Sequence, residues 1–496
     1  MLRPHCTAPP TSHSNPQATA RPPPKEPDTV ARRPKTDSKQ QASSPAKPAL
    51  FKRILIANRG EIALRVIRAC KELGIETVAV YSEADKNYNY IKYADDAICI
   101  GPPAAADSYL KIDRIIAAAE ITDVEAIHPG YGFLSENPHF AEICRSCKIE
   151  FIGPSVRAMQ ALGSKIESKK LAKLAKVPLV PGSEGALDDE AHAVALANQI
   201  GYPVILKASA GGGGRGMRVC HNDISTRANF NAARAEAEKA FGDSAIFMEK
   251  FLVEPRHVEI QILGDRHGNL IHLFERDCTL QRRNQKLIEE SPSPHISDST
   301  RKKMCEAAVR IAKQVNYDNA GTCEFLVDKQ ENFYFCEINA RIQVEHPVTE
   351  LVTGVDLVQW QIKIASGLPL TLKQADIKTS GHAIQCRINA EDVRGFIPMA
   401  GPVDVFHAPG GPGVRLDTHM TSANIVPPFY DSMIAKLLVH RANRSEAIAC
   451  MARALREFHV GPVKTIIPFH LWAMANADFR NANVDIHYIE RLYRPS

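Results

Sequence analysis

The sequence predicts an α/β protein that becomes α+β in its C-terminal part, and three observations carry this reading. Short apolar strands alternate with helices over residues 51–152. A run of four glycines sits between two strands near residue 211, and an apolar hairpin around residue 330 leads into alternating polar residues. At 496 residues the chain is too long for one ordinary core, and about three domains are expected.

A hydrophobic fraction of 44% and a charged fraction of 24% belong to a globular protein with a sizeable core. The net charge of +5 is small, and much of it sits in the first fifty residues, where Arg3, Arg21, Lys25, Arg32, Arg33, Lys35, Lys39 and Lys47 face only Glu26, Asp28 and Asp37. The body is thus near neutral, which argues against a nucleic-acid-coating protein. No apolar run approaches the roughly 20 residues of a membrane span. A soluble chain is expected, with neither nucleic acid nor membrane as partner.

The twelve cysteines are scattered, mostly inside apolar runs, as at Cys70, Cys99, Cys323 and Cys336. Buried free thiols in a reducing compartment look like this, so a cytoplasmic location is expected. Cys144 and Cys147 form the one close pair. They lack a second pair or a histidine cluster at zinc spacing and are read as structural.

Residues 1–50 are rich in Pro, Ser, Gln and Lys, with Pro22-Pro23-Pro24 in the middle. Such a segment cannot bury enough apolar area to order itself and is expected to be disordered. An organelle or plastid transit peptide is the alternative, since Arg and Ser outnumber acids, although the prolines oppose an amphipathic helix.

From Phe51 the pattern sharpens. Arg53–Ala57 reads as a strand, and Asn58-Arg59-Gly60 turns into a helix over Glu61–Leu73 that Gly74 ends. Strands at Thr77–Tyr81 and Ala97–Ile100, a helix near Ile112–Ala119 and a strand at Ala126–His128 follow. This alternation gives a parallel, doubly wound sheet, a Rossmann-like domain over 51–152. G-x-G-x-x-G does not follow the first strand, so the dinucleotide fingerprint is missing. A helical linker over 153–179 (Ser155–Lys176, ended by Pro178) leads to a small unit, 180–251, with strands Val204–Ala208 and Met217–Cys220. The remainder, 252–496, opens with strands His257–Leu263 and Leu270–Arg276.

Ser209 to Arg218 reads S-A-G-G-G-G-R-G-M-R, directly after Lys207. Consecutive glycines are entropically expensive and are kept where backbone must come very close to something. Backbone N–H groups there, beside Lys207 and Arg215, would cradle phosphates. The Walker pattern G-x-x-x-x-G-K-[ST] is missing, so strand, loop and strand read as a lid over ATP, with a plain linker as the bland alternative.

Cys323–Val327 and Phe333–Glu337 flank a polar turn and read as a hairpin. With its loop centred between Gln330 and Glu331, Glu324 faces Glu337. Facing like charges destabilise a sheet unless something offsets them, and a Mg²⁺ ion carrying phosphates would. Beyond it Glu337, Asn339, Arg341, Gln343 and Glu345 alternate, which in an extended chain puts all five on one face. The pattern says metal–nucleotide site with an adjacent anion site.

Five motifs then add a resemblance: I-A-N-R-G-E-I-A-x-R at Ile56–Arg65, H-P-G-Y-G-F-L-S-E-N at His128–Asn137, G-G-G-G-R-G-M at Gly211–Met217, N-A-R-I-Q-V-E-H-P-V-T-E at Asn339–Glu350 and C-R-I-N-A-E-D at Cys386–Asp392. Together they resemble biotin carboxylase, and within it the free-standing subunit of acetyl-CoA carboxylase. The likeness runs from about Phe51 to the closing I-H-Y-I-E at Ile486–Glu490.

The resemblance implies an ATP-grasp architecture with the Rossmann-like domain, a small glycine-loop lid and a large C-terminal domain. By it, Lys165, Lys207, Gly213, Gly214, His257 and Gln281 hold ATP, and Glu249, Lys250, Phe251 and Leu252 reach the adenine. Glu324, Glu337 and Asn339 hold Mg²⁺ or Mn²⁺. Bicarbonate lies among Lys286, Arg341, the backbone of Gln343 and Val344, and Arg387, since a planar anion suits the guanidinium fork. Glu345 is the implied base that takes the bicarbonate proton, giving carboxyphosphate with ATP. This breaks to CO₂ and phosphate, and the phosphate takes the proton of the biotin ureido nitrogen. Arg387 stabilises the charged biotin, and Tyr131 and Gly132 complete its site. Asn284 stands where many members carry histidine. Asparagine keeps donors and an acceptor but cannot become charged, so altered nucleotide affinity is expected.

The family attaches biotin at A-M-K-M. No M-K-M occurs here, and no transferase-sized extension follows Ser496. The chain is therefore expected to act in trans on a biotin carboxyl carrier protein, beside carboxyltransferase subunits, and the resemblance implies a homodimer. An amide-forming ATP-grasp ligase would share the loop and metal pair but not the ladder or the Arg387 segment. An inactive nucleotide-binding regulator would have lost Glu324, Glu337, Arg341, Glu345 or Arg387, and all five are present.

Overall fold

The structure is a computed structural model that describes residues 49–494 except 209–216, with the side chains of 165, 166, 240 and 241 also outside the description. The expectations for the tail through residue 48, for Gly213, Gly214 and Arg215, and for the Lys165 side chain lie outside the described residues.

The N-terminal part runs β1 (Arg53–Ile56), α1 (Gly60–Glu72), β2 (Glu76–Tyr81), β3 (Asp96–Cys99), β4 (Ala126–His128) and β5 (Glu150–Phe151). These form one parallel sheet in the order β3-β2-β1-β4-β5. The strand order reverses between β1 and β4. In such a sheet, ligands collect beyond the carboxyl ends of the strands at that switch point. Asn58 joins the two loops there, its Nδ2 donating to the carbonyls of Pro129 (2.7 Å) and Tyr131 (2.8 Å). Gly130 has φ +62, and a Cβ on it would come within 2.9 Å of that same amide, so the close approach of the loops demands glycine.

The helical linker is two helices, Val156–Gly163 and Lys165–Leu174, where one continuous stretch was expected. Ser164 makes the break: its hydroxyl accepts from the Glu167 N–H at 3.3 Å, so the second helix starts anew. Next, β6 (Val204–Ala208), β7 (Met217–Cys220) and β8 (Ile246–Lys250) form an antiparallel sheet in the order β7-β6-β8. Helices Glu190–Ile200 and Asp223–Phe241 pack on it around Leu206, Phe230 and Met248, a small core of its own.

The remainder is built on an eight-stranded antiparallel sheet. Its strands are β9 (Arg256–Gly264), β10 (Leu270–Arg282), β11 (Gln285–Ser291), β12 (Asn319–Val327), β13 (Phe333–Asn339), β14 (His382–Asn389), Val414–Thr418 and Met433–Arg441. The order is β13-β12-β9-β10-β11-β14, then Met433–Arg441 and Val414–Thr418 at the far edge. The architecture is thus the expected mix, parallel first and antiparallel after. β10 is six residues longer than the apolar pattern suggested, because the polar run Asp277–Arg282 continues the ladder to β11 with two register shifts.

Two expectations around the hairpin change. Glu324 does face Glu337, but Phe325, Leu326 and Val327 pair with Phe335, Tyr334 and Phe333, a register centred on Gln330. A bulge between Glu324 and Phe325 restores the facing pair. The extended ladder also stops at Asn339. Residues 340–345 turn, and helix His346–Thr353 begins, so Arg341, Gln343 and Glu345 do not continue a strand face.

The cysteines among the described residues are free thiols. Cys70 and Cys323 are buried as expected, but Cys99 is exposed and Cys336 half-buried. Cys144 is buried in helix Pro138–Ser146, with Cys147 just past its end. Among the described residues no helix is long and apolar enough to cross a membrane.

Candidate active site

A cleft of about 1000 Å³ opens where the switch point of the parallel sheet meets the large antiparallel sheet. It collects Tyr131 and Gly132 from the loop after β4, and His257, Gln281, Asn284 and Lys286 from β9 and the β10–β11 hairpin. Glu324, Glu337, Asn339, Arg341, Gln343, Val344 and Arg387 line it as well. Asn284 and Arg283 form the two-residue hairpin loop, both with positive φ (63° and 49°). Asparagine tolerates that left-handed backbone well, a local reason for its place at the tip.

Lys286 is the centre of charge. Its Nζ donates to Glu259 (2.6 Å), Glu345 (2.8 Å) and Glu324 (2.9 Å). Burial opposes its charge, but the three carboxylates outweigh burial and hold its pKa well above the usual lysine value. His257, Glu259 and Glu324 bring three possible ligand atoms within 4.8 Å of one another. The Lys286 ammonium already bonds two of these carboxylates, so this trio is an ammonium site rather than a metal site.

Glu324 also accepts from Asn339 (2.9 Å) and Gln343 (3.1 Å), with His257 at 3.1 Å. Burial alone would raise its pKa, yet Lys286 and His257 draw it well below the usual carboxylate range. Of the two facing carboxylates of the hairpin, Glu324 is therefore already offset by the Lys286 ammonium.

Glu345 is fully buried beneath the cleft rather than on its wall. One carboxylate oxygen takes the Lys286 ammonium, and the other accepts from Arg387 at 2.9 Å. Lys286, Arg387 and Arg276 outweigh its burial and hold the carboxyl well below its ordinary pKa. Arg387 Nε also donates to Glu289 at 2.5 Å. Burial pushes the Glu289 pKa up despite this partner. Arg341 stands at the rim, donating to Glu136 (2.9 Å), Gln343 (2.8 Å) and Asn339 (3.0 Å).

On the small unit, Glu249 bridges the ammonium groups of Lys169 and Lys207, which hold its pKa down against burial. Lys207 looked buried from its apolar strand, but its side chain is 37% exposed. The Lys250 ammonium is committed to the carbonyls of Gly201 and Tyr202, both at 2.8 Å, and Phe251 stacks near His487 at 6.2 Å. Lys207, Glu249, Lys250, Phe251 and Leu252 are not part of the cleft wall described above.

Sequence reasoning missed Glu259, Arg276, Glu289, Glu61 and Lys436. Arg276 is fully buried, bonding Glu259 (2.6 Å), Gln261 (2.7 Å), Thr322 and Thr349 (both 3.0 Å). Lys436, also fully buried, pairs with Glu61 at 2.9 Å and donates to the Val344 carbonyl at 3.1 Å. Glu61 in turn accepts from the Tyr131 hydroxyl. The available signal was a charge in mid-strand among apolar neighbours, as in V-E-I-Q-I at Val258–Ile262 or I-A-K-L-L at Ile434–Leu438. Such charges are seldom buried unless paired.

Comparisons with known proteins agree along nearly the whole length. Residues 50–159 match the family model of the biotin carboxylase N-terminal domain. Residues 164–373 match the ATP-binding domain of the carbamoyl-phosphate synthase L chain, and 385–491 the biotin carboxylase C-terminal domain. Biotin carboxylase 1 of Bacillus subtilis is 51% identical over 443 residues, 89% of this chain and 98% of that protein. The small subunit of Hydrogenobacter thermophilus 2-oxoglutarate carboxylase is 48% identical, over 89% of this chain and 93% of that one. A solved structure of the biotin carboxylase domain dimer of the same organism's 2-oxoglutarate carboxylase, with MgADP, ADP and bicarbonate, superposes with a TM-score of 0.84 at 48% identity, covering 89% of this chain and 98% of that one. Sequence motifs, sheet architecture and the Lys286–Glu345–Arg387 cluster converge on one conclusion: the chain belongs to the biotin carboxylase family.

Proposed function

We propose that this chain uses ATP and bicarbonate to carboxylate biotin through carboxyphosphate. The observation that carries the reading is the buried Glu345 carboxylate, bridged by Lys286 and Arg387 directly beneath the cleft. Bicarbonate is an anion, and it competes with Glu345 for both cations. As it takes Lys286, Arg387 and Arg341, Glu345 loses the charges that depress its pKa and becomes a stronger base beside the proton it must remove. The freed bicarbonate oxygen attacks the γ-phosphorus of ATP, and ADP leaves. Carboxyphosphate then breaks to CO₂ and phosphate. The phosphate takes the proton of a ureido nitrogen, and that nitrogen bonds CO₂. Arg387 faces the charge that grows on the ureido oxygen, with Tyr131 and Gly132 on the other side.

The residues present fit a small hard cation. Glu324, Glu337 and Asn339 offer oxygen donors on one wall. Around the floor, Lys286, Arg276 and Arg387 are already engaged by the Glu259, Glu324 and Glu345 carboxylates. Two anionic substrates need added positive charge there. Glu324, Glu337 and Asn339 would hold Mg²⁺ or Mn²⁺, which neutralises phosphate charge when bound. Lys165, Lys207, the glycine loop with Gly213 and Gly214, His257 and Gln281 would hold the nucleotide, Asn284 would lie beside it, and Glu249–Leu252 would reach its base. Lys207 is tied to Glu249 in the structure, so a triphosphate would draw it off that carboxylate.

In this reading biotin arrives on a separate carrier protein, and the reaction is the first half of an acetyl-CoA carboxylase cycle. Similar chains carry the names of pyruvate carboxylase and 2-oxoglutarate carboxylase, which supports a final acceptor chosen by the transferase partner. A homodimer and a cytoplasmic setting complete the proposal, the latter supported by the mostly buried free thiols.

The test is phosphate release from ATP by the purified chain. It is expected to require bicarbonate, to rise with free biotin, and to yield carboxybiotin. Hydrolysis driven instead by a carboxylic acid and an amine would make the chain an amide-forming ligase. Replacing two of Gly211–Gly214 by alanine is expected to raise KM for ATP and lower kcat together, because that loop must both approach phosphate and move. Normal values of both would make it a linker.

A further inference from the structure

Asn389 is assigned no part in the reaction described so far, yet it lines the cleft and is only 8% exposed. It lies two residues beyond Arg387 on β14, and alternation puts both on one face of that strand. The pairing with Met433–Arg441 shifts between Ile388 and Asn389, which face Ala435 and Met433, so the extra residue, Ile434, is in the neighbouring strand. β14 itself keeps its regular alternation.

The orientation of the Asn389 amide is settled by chemistry. Its Nδ2 donates to Glu391 Oε1 at 3.0 Å, and that same oxygen accepts from the Ser432 hydroxyl, so it is an acceptor and the NH₂ is the end that faces Glu391. Glu391 is fixed in turn by the Ser432 hydroxyl. The other end, Oδ1, is buried and has no hydrogen-bond partner. A buried acceptor left unpaired is costly and calls for an explanation, and a ligand that brings a donor supplies one. ATP phosphates and bicarbonate present mainly acceptors to their sites. A cyclic urea presents a carbonyl flanked by N–H groups, a pattern matched by a donor, Arg387, with an acceptor beside it.

We propose that Asn389 Oδ1 accepts a hydrogen bond from the biotin ureido N–H that is not carboxylated, and so determines which ring nitrogen faces bicarbonate. The proposal deepens the biotin reading above and rests on it. The held N–H keeps its proton throughout. The opposite nitrogen is the one that gives its proton to phosphate and bonds CO₂.

The experiment uses the full chain with free biotin at saturating ATP and bicarbonate. Asn389→Ala is expected to lower kcat/KM for biotin by about 10- to 100-fold, mainly through KM, the scale of one lost buried hydrogen bond. KM for ATP and for bicarbonate should move by less than about twofold, and thermal unfolding should show a folded protein. Asn389→Ser keeps a small oxygen acceptor at this place without setting a second carboxylate against Glu391, and should retain more of kcat/KM than the alanine variant. It also serves as the folded comparison should alanine not be tolerated. An unchanged kcat/KM for biotin in Asn389→Ala would overturn the proposal. So would a parallel rise in KM for ATP and bicarbonate, which would make Asn389 a general support of the cleft. Wild-type protein whose ATP hydrolysis is indifferent to biotin would sink the biotin reading itself, a result distinct from either.

Discussion

Arg387→Ala is expected to lower carboxybiotin formation by about 10²–10³-fold, the usual loss when a preorganised donor to developing charge is removed. Part of the bicarbonate-dependent ATP hydrolysis should survive, because carboxyphosphate can still form and be captured by water. Glu345→Ala should lose both activities together, since no carboxyphosphate forms without the base. Phosphate release and carboxybiotin, measured side by side for each variant, decide the matter. Equal loss of the two in Arg387→Ala, with uncoupled hydrolysis in Glu345→Ala, would reverse the roles. The structure adds a control. Arg387 is the cation bonded to Glu289, whose pKa burial already pushes up. In Arg387→Ala, Glu289 should take up a proton, so the variant should be better folded at mildly acidic than at alkaline pH, and activities belong at matched folded fraction.

Lys286→Met is expected to have the largest effect on stability. It strips one cation from three buried carboxylates, and breaking a buried ion pair typically costs about 3–5 kcal/mol. Turnover should fall to background with it. The pH dependence follows from the depressed carboxyls of Glu324 and Glu345. A depressed carboxyl contributes stability above its unfolded pKa, about 4.3, and that contribution is lost as pH falls toward the folded value. Without Lys286 these carboxyls rise in pKa and can protonate. The gap between wild type and variant should therefore be widest near neutral pH and narrow as pH drops below about 5. Thermal unfolding of both proteins from pH 4 to pH 8, on the order of five points, measures this. A constant gap across the range would mean that Lys286 does not set the charge state of this floor.

The same cluster changes what Glu324→Gln should do. Taken from the hairpin alone, two facing carboxylates suggest that removing one would relieve repulsion. In the folded protein Glu324 accepts from Lys286, Asn339 and Gln343 and sits beside His257, so the substitution removes more attraction than repulsion. The Glu324–Glu337 pair agrees with the sequence reading only because a bulge shifts the register beside it, and the lysine reaching in from β11 was not readable at all.

Much was legible before any coordinates. The alternation of strands and helices over 51–152 named the parallel sheet, because periodicity of apolar residues is local and reports burial directly. Strands such as Val204–Ala208 and Ala126–His128 fell where the apolar runs place them. The five motifs were long enough to name the family, and thirteen of the residues that the resemblance implied line one cleft. Less was legible where local signals conflict with partners far away in sequence. Asp277–Arg282 is too polar to read as strand, yet β11 continues the ladder beside it. The run Arg341–Glu345 alternates like a strand but turns, because helix His346–Thr353 begins just after it.

The sequence by itself determined the fold class, the family and the chemical kinds of group at the site, since these depend on local periodicity and on residue types at fixed spacing. Tertiary structure alone decided how those groups are charged and which are partnered. Lys286 meets Glu259, Glu324 and Glu345 from 27, 38 and 59 residues away, and Arg387 meets Glu289 from 98. Hydrogen bonds and Coulomb interactions act through distance and burial rather than through chain order. The low basicity of Glu345, the lysine among the carboxylates and the unpaired acceptor of Asn389 therefore arise only when strands distant in sequence come side by side in the large sheet.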